Sequence, residues 1–271
     1  MKESLSHEKV CFQKEYDGKK LDIEMVTNPF FKQLTDFVMA LPGNASLPGK
    51  IIYSKRNDVS VMEIMGVRLT IKAYKHITLA NKIIYATVRK SKAERAYNHA
   101  LELTARGIST PAPIAYIDCY RHKMLQKSFF ICLYVNYPSV SDFRALPIPE
   151  TETLFRAFGH FTYHLHLKGV YHKDYSLSNV LVIRRSADYD FCLIDNNRIH
   201  FGEYSLRESM KNMYRLSLPA DKYAIVGSAY AEVSKTDDIW TVSLMFFYRE
   251  FSIRLSSLKR KVKNLLKIIR K

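Results

Sequence analysis

With 271 residues, 47% of them hydrophobic and 25% charged, the chain can bury a sizeable core without disulfides or a structural metal. Its net charge of +16 calls for an anionic partner, whether nucleic acid, a phospholipid surface or a phosphorylated glycan, without choosing among them. Cys11, Cys119, Cys132 and Cys192 are too scattered for a metal set or a redox pair, and Met1 to Val10 lacks the apolar core of a secretory signal, so a cytoplasmic chain with reduced thiols is expected.

Beyond a charged N-terminal stretch, Ile51 to Lys75 clusters β-formers around two turn signals, Lys55-Arg56-Asn57-Asp58 and Met65-Gly66, and predicts a three-stranded antiparallel meander. Lys90 to Arg106 predicts a helix stopped by Gly107, with Pro111 and Pro113 beyond it. Phe129 to Val135 reads as a buried strand. From Glu150 to Lys168 the spacing of Leu154, Phe155, Phe158, Phe161 and Leu165 is helical, and Gly169 closes the segment. Two short strands follow, Val180 to Arg184 and Phe191 to Ile194. Strands, a helix, a strand and then mainly helices form an α+β order with a small antiparallel sheet lobe first. The expected division is a nucleotide-binding lobe over 1–135, a mainly helical catalytic lobe over 136–252 and a basic amphipathic helix over 253–271.

The densest chemistry lies in His172-Lys173-Asp174-Tyr175-Ser176-Leu177-Ser178-Asn179, followed by the strand Val180 to Ile183 and then by Leu193-Ile194-Asp195. Any one of these polar residues ordinarily caps a turn, but H-x-D-x-x-x-x-N with an Asp ending the second following strand is not an ordinary set of caps. Phosphoryl transfer asks for an acceptor hydroxyl held in line and for metal ions that neutralise the β- and γ-phosphates. Asp174 can accept the proton of the hydroxyl, while the amide oxygen of Asn179 and the carboxylate of Asp195 are the hard ligands Mg²⁺ prefers. His172 is assigned to loop support and Lys173 to solvent. Val67 to Lys72 is an apolar strand ending in a lysine, like the V-A-I-K strand whose lysine binds the α- and β-phosphates of ATP. Glu94, in the first turn of the next helix, is the expected ion-pair partner of Lys72, with Glu102 as the alternative. No G-x-G-x-x-G occurs between Ser54 and Ser60, so a phosphate lid would fall to Lys55, Arg56, Asn57 and Asp58. Asp195 is followed by Asn196-Asn197-Arg198 in place of a D-F-G segment.

Lys72, Ser91-Lys92-Ala93-Glu94-Arg95-Ala96-Tyr97, Arg106-Gly107-Ile108-Ser109-Thr110-Pro111, the His172 to Asn179 loop and Leu193-Ile194-Asp195 together resemble the lipopolysaccharide kinase family, which includes Kdo kinases and lipopolysaccharide core heptose kinases. The resemblance spans roughly Lys50 to Arg198 and implies a protein-kinase-like, two-lobed fold using ATP and Mg²⁺ on a lipid-anchored glycan at the inner face of the cytoplasmic membrane. It implies Asp174 as base, Asn179 and Asp195 on metal, and Lys72 on phosphate, with ATP between the Ile51 to Lys75 sheet and the His172 to Asp195 loops. An atypical protein kinase or an aminoglycoside-type small-molecule phosphotransferase would share this loop, though no A-P-E signal follows Asp195. A pseudokinase or a module binding nucleic acid or another anion is the non-enzymatic alternative, prompted by the charge and by the aromatics among the bases of Tyr116 to Phe130; no RNA-binding signature supports nucleic acid.

Toward the C-terminus, Thr236-Asp237-Asp238 reads as a helix N-cap, and Ile239 to Tyr248 has about half the roughly 20 apolar residues a membrane span needs. Arg254 to Lys271 carries eight Lys or Arg and no acid, with Leu255, Leu258, Val262, Leu265, Leu266 and Ile269 at three- and four-residue steps. A basic amphipathic helix of this kind either packs its stripe on the helical lobe or lies on an anionic membrane surface, and the resemblance favours the membrane.

Overall fold

A computed structural model describes residues 7–74, 90–186 and 188–269, with the side chains of 263–269 outside the description. The chain divides into two units: Met1–Asn136 with Asp195–Arg198, and Tyr137–Ile194 with Ile199–Lys271.

The first unit is built on an antiparallel sheet of seven strands: β1 (Val10–Tyr16), β2 (Lys19–Thr27), β3 (Lys50–Ser54), β4 (Asp58–Ile64), β5 (Val67–Ala73), β6 (Pro113–Arg121) and β7 (Met124–Leu133). They lie in the order β1-β2-β6-β7-β5-β4-β3. The expected meander is β3 to β5, with Lys75 outside the described residues. Three hairpins close on pairs in the left-handed region, Asp17-Gly18, Met65-Gly66 and His122-Lys123, the primed turns whose twist matches that of the strands. The last pair contains no glycine and gave no signal. β1 and β2 lie where only a charged stretch was expected, and β6 begins on Pro113, which read merely as helix punctuation.

One sheet face packs on α1 (Thr35–Ala40) through Leu69, Ile71, Ile117 and Ile131 against Leu34 and Val38. The cluster on α2 (Lys92–Ala105) joins Ala93, Ala96 and Tyr97 to Tyr74, Tyr116 and Phe130. Ser91 caps α2 by accepting the Glu94 N–H at 2.9 Å. At the other end Gly107, at φ 68°, gives its N–H to Thr104 while Ile108 gives its own to Leu103, a pattern that ends a helix cleanly.

The second unit is mainly helical. α3 (Ile148–Leu167) packs on α5 (Ala220–Ser234), and α4 (Leu206–Asn212) lies beside the long α6 (Asp238–Ile269). A Cβ at Gly159 of α3 would stand 2.6 Å from the Val226 carbonyl oxygen, so the two helices meet at a contact that requires glycine. Two small ribbons complete the unit, β8 (Val170–His172) with β11 (Ile199–Phe201) and β9 (Val180–Arg184) with β10 (Tyr189–Leu193). α6 starts where the N-cap was read, with Asp237 Oδ1 accepting the Trp240 N–H at 2.7 Å. The basic stretch from Ile253 continues this helix, while the apolar stripe read at Leu265, Leu266 and Ile269 lies beyond the described side chains. No helix among the described residues is long and apolar enough to cross a membrane.

Candidate active site

The loop of Asp174 hangs from buried groups on either side. His172 is fully buried at the end of β8; its carbonyl accepts from Asn212 Nδ2 at 2.9 Å, and its Nδ1 accepts the Asp174 N–H at 3.2 Å. Loop support, expected of His172, is thus what its contacts provide. Asn212 Oδ1 accepts in turn from His166 Nε2 at 3.0 Å, and burial pushes His166 down to about 4, so it stays neutral and donates through that nitrogen. On the far side Tyr175 is buried against Phe158, with its hydroxyl 2.8 Å from Thr162 Oγ1. Asp174 itself is half-exposed, and its Oδ1 accepts from Arg215 Nη1 at 2.7 Å. Arg215 lies 41 residues along the chain, and no local spacing marks it as a partner of the loop.

Asn179 gives its amide nitrogen to the Asp174 carbonyl at 2.9 Å, which leaves the amide oxygen as the atom suited to a metal. Its backbone carbonyl accepts from the N–H of Ile194, the residue before Asp195, at 2.9 Å. Lys173 is exposed, as expected of a solvated charge.

Asp195 begins the short segment that groups with the first unit. Its φ of 60° places a non-glycine residue in the left-handed region, a strain that a native fold keeps where the side chain must be aimed. Lys72 Nζ donates to Asp195 Oδ1, and Asn197 Nδ2 donates to the same oxygen at 2.5 Å. The register of β5 with β7 sets Lys72 opposite Phe130, which places it inside the sheet and not at its edge. Asn196 fixes the segment to the rest of the unit: its carbonyl accepts from His99 Nδ1 at 2.6 Å, and its Nδ2 donates to Thr110 Oγ1 at 2.6 Å. Thr110 belongs to the Gly-Ile-Ser-Thr-Pro run, so the motif read in the sequence anchors the residues next to Asp195.

Glu94 does not join Lys72 among the described residues. Its carboxylate lies 3.5 Å from Lys9 Nζ and 3.7 Å from Lys90 Nζ. The reason is rotational: α2 turns Lys92, Arg95 and His99 toward the Asp195 segment, and a residue two positions from Lys92 points about 200° away. Glu102 is engaged with Arg106 Nε at 2.7 Å. In the hairpin that replaces a glycine-rich loop, Ser54 Oγ donates to Asp58 Oδ1 at 2.7 Å and the Lys55 N–H to the Asn57 carbonyl at 3.2 Å.

No cluster of three or more His, Cys, Asp or Glu forms a metal site among the described residues. Asp195 in the first unit offers a carboxylate and Asn179 in the second an amide oxygen, each a hard oxygen donor of the kind Mg²⁺ prefers.

A sheet unit that presents a lysine to the carboxylate of Asp195, followed by a mainly helical unit that carries an Asp and an Asn on one loop, has the order of elements of a protein-kinase-like fold. A structure described as WaaP in complex with acyl carrier protein superposes with a TM-score of 0.54 at 18% identity, over 89% of this chain and 98% of that one. The kinase domain of Mycobacterium tuberculosis PknI superposes more loosely, at a TM-score of 0.39 and 14% identity over 70% of this chain and 74% of that domain. The lipopolysaccharide kinase (Kdo/WaaP) family model matches residues 61–236, and the chain belongs to that family. A search of curated proteins returned no match.

Proposed function

We propose that this chain moves the γ-phosphate of ATP to a hydroxyl of a lipid-anchored lipopolysaccharide sugar, Kdo or a core sugar, with Mg²⁺. The observation that carries this reading is the meeting of Lys72 with Asp195 in a member of this family. Asn179 and Asp195 would hold the Mg²⁺, which supplies charge neutralisation on the phosphates when bound. Lys72, which donates to Asp195 in the free chain, would turn to the α- and β-phosphates of the nucleotide, while Glu94 stays with Lys9 and Lys90. Asp174 takes the proton of the acceptor hydroxyl as its oxygen bonds to the γ-phosphorus and the bond to the β-phosphate oxygen breaks, releasing ADP. Arg215 positions the Asp174 carboxylate and keeps a positive charge beside it.

The acceptor is lipid-anchored in this reading, and α6 supports residence at the inner face of the cytoplasmic membrane. Trp240, Phe247, Phe251, Leu258 and Val262 recur at seven- and four-residue steps on one face and are each at least 50% exposed. Arg254, Lys259, Arg260 and Lys261 lie among them, the charge that an anionic leaflet attracts. The test is turnover of ATP by the purified chain with and without a glycolipid acceptor: turnover that rises with the acceptor, with phosphate appearing on it, supports the reading, and turnover indifferent to it refutes the acceptor class.

A further inference from the structure

Strand alternation decides which side chains of β8 face outward. Val170 and His172 are fully buried, so Tyr171 between them lies on the opposite side of the ribbon and is only partly covered. Its register partner in β11 is His200, and Tyr204 returns the chain to the same place. The rings of Tyr171 and Tyr204 stand 5.1 Å apart at 44°, and the Tyr204 hydroxyl donates to the His200 carbonyl at 2.9 Å. The Gly202 N–H gives to the Gly169 carbonyl at 3.0 Å and pins this end of the ribbon.

α4 begins just after Tyr204, with Ser205 and Glu208 in a reciprocal cap, and ends at Asn212, whose amide holds the His172 carbonyl. Tyr214 follows. Its hydroxyl accepts from Arg215 Nε at 2.6 Å, its ring centroid lies 5.3 Å from the guanidinium, and Nη1 of the same guanidinium donates to Asp174 at 2.7 Å. The two ends of α4 therefore each deliver a tyrosine, one beside Tyr171 on the strand that leads into the Asp174 loop, the other beside the arginine on the Asp174 carboxylate. Tyr175, Tyr223 and Tyr230 of the same unit are buried, whereas Tyr171, Tyr204 and Tyr214 stay partly exposed. With the hydroxyls of Tyr204 and Tyr214 tied to the chain, these rings are fixed in place and lose little freedom when a ligand packs on them.

Fixed aromatic rings beside a proton acceptor suit a ligand with an apolar face and a hydroxyl at its rim. A sugar ring is such a ligand: its faces present C–H groups and its edge presents hydroxyls. The serine or threonine of an extended peptide offers no such face. We propose that Tyr171, Tyr204 and Tyr214 form the subsite that holds the ring of the acceptor sugar with one hydroxyl toward Asp174. The subsite rests on the kinase reading and narrows it, since it selects a sugar over a peptide hydroxyl.

Titration of the full chain with delipidated lipopolysaccharide core oligosaccharide, followed by saturation-transfer NMR, tests the subsite in the wild type, Tyr204→Leu, Tyr204→Phe and Tyr171→Leu. ATP affinity and melting temperature are measured on the same proteins. The leucine variants should bind the oligosaccharide about three- to tenfold more weakly and raise the KM for glycolipid by a similar factor. Tyr204→Phe, which keeps the ring, should stay within about twofold of the wild type, as should every ATP affinity. Tyr171→Leu decides the matter should Tyr204→Leu fail to fold. A wild type that phosphorylates the glycan, beside leucine variants that bind it undiminished, would overturn the subsite and leave the kinase reading standing. An equal loss in Tyr204→Phe would assign the effect to the tie of the hydroxyl and overturn the subsite as well. A wild type that turns over ATP yet neither binds nor phosphorylates the glycan would refute the acceptor class, and the subsite with it.

Discussion

The two acidic residues at the centre of the chemistry are held in opposite ways. The backbone of the Asp174 loop is fastened by buried, uncharged groups, with His172, Asn212, His166 and Tyr175 forming a chain of hydrogen bonds and ring contacts, and Arg215 pairs with the carboxylate. Asp195 sits in the left-handed region and is held by charge and by the buried amides of Asn196 and Asn197, with Lys72 and Asn197 on its carboxylate and Thr110 and His99 on Asn196. In the proposed reading, a base that must meet a hydroxyl at one distance profits from a loop whose backbone is fastened by neutral groups. In the same reading, a metal ligand that exchanges a lysine for a cation profits from a partner it can give up.

The sharpest way to break this contrast is to remove each carboxylate. Asp195→Ala should abolish Mg²⁺-dependent transfer, whereas Asp174→Ala should bind nucleotide normally and lose about 10²–10⁴ in kcat. Steady-state kinetics with nucleotide titrations check both, and near-normal transfer by Asp195→Ala would remove the metal assignment.

The supports should separate in the same way. Asn212→Ala leaves the His172 carbonyl and His166 without their buried partner and should lower stability by about 1–3 kcal/mol along with kcat. Thr110→Val removes the acceptor of the Asn196 amide and should raise the Mg²⁺ concentration needed for half-maximal rate with a smaller loss of stability. Chemical denaturation alongside Mg²⁺ titration tests the pair; equal effects on both quantities in both variants would erase the distinction.

This division also sets what could be read from the sequence. The Asp174 loop and Asp195 were legible because the chain carries them at fixed short spacings, and so was the Thr110 motif, whose role became visible only when Asn196 was seen on it. Arg215 and Asn212 were not, because each reaches the His172 to Asp174 loop from about 40 residues away and is an ordinary helix-end residue by local pattern. Glu94 was misjudged for a rotational reason: its place in the first turn of α2 is right, but its side of the helix is not. Among the strands, Met65-Gly66 announced its hairpin, while His122-Lys123 adopts the same turn without glycine, and β6 was hidden by the proline that opens it.

Within the sheet unit a pH test reaches a group of another kind. Asp118 is fully buried in β6, and burial raises it to about 7 against the opposing pull of the Ser128 and Ser91 hydroxyls beside it. The folded chain therefore keeps a proton that the unfolded chain releases near the ordinary carboxylate value. This contribution to stability is full in acid and is lost as pH rises toward about 7, after which it is flat. Asp118→Asn should flatten that slope and raise the melting temperature at pH about 8 by a few degrees. Melting curves across pH measure it, and an unchanged slope would mean that Asp118 is ionised in the fold.

The smallest effect is expected at α6. Deleting Ile253 to Lys271 should reduce co-sedimentation with anionic vesicles at low salt while ATP binding is retained. Loss of folded structure, or undiminished vesicle binding, would assign the stripe to packing instead.

The most direct measurement is transfer from γ-labelled ATP to purified lipopolysaccharide glycolipid, followed by mass spectrometry of the product, with wild type and Asp174→Asn side by side. The wild type should add one phosphate unit to the glycan in a Mg²⁺-dependent manner, and Asp174→Asn should bind ATP yet leave the glycan unmodified. Label that never reaches the glycan, or reaches it equally with both proteins, would contradict the assignment of this loop as the centre of a lipopolysaccharide kinase.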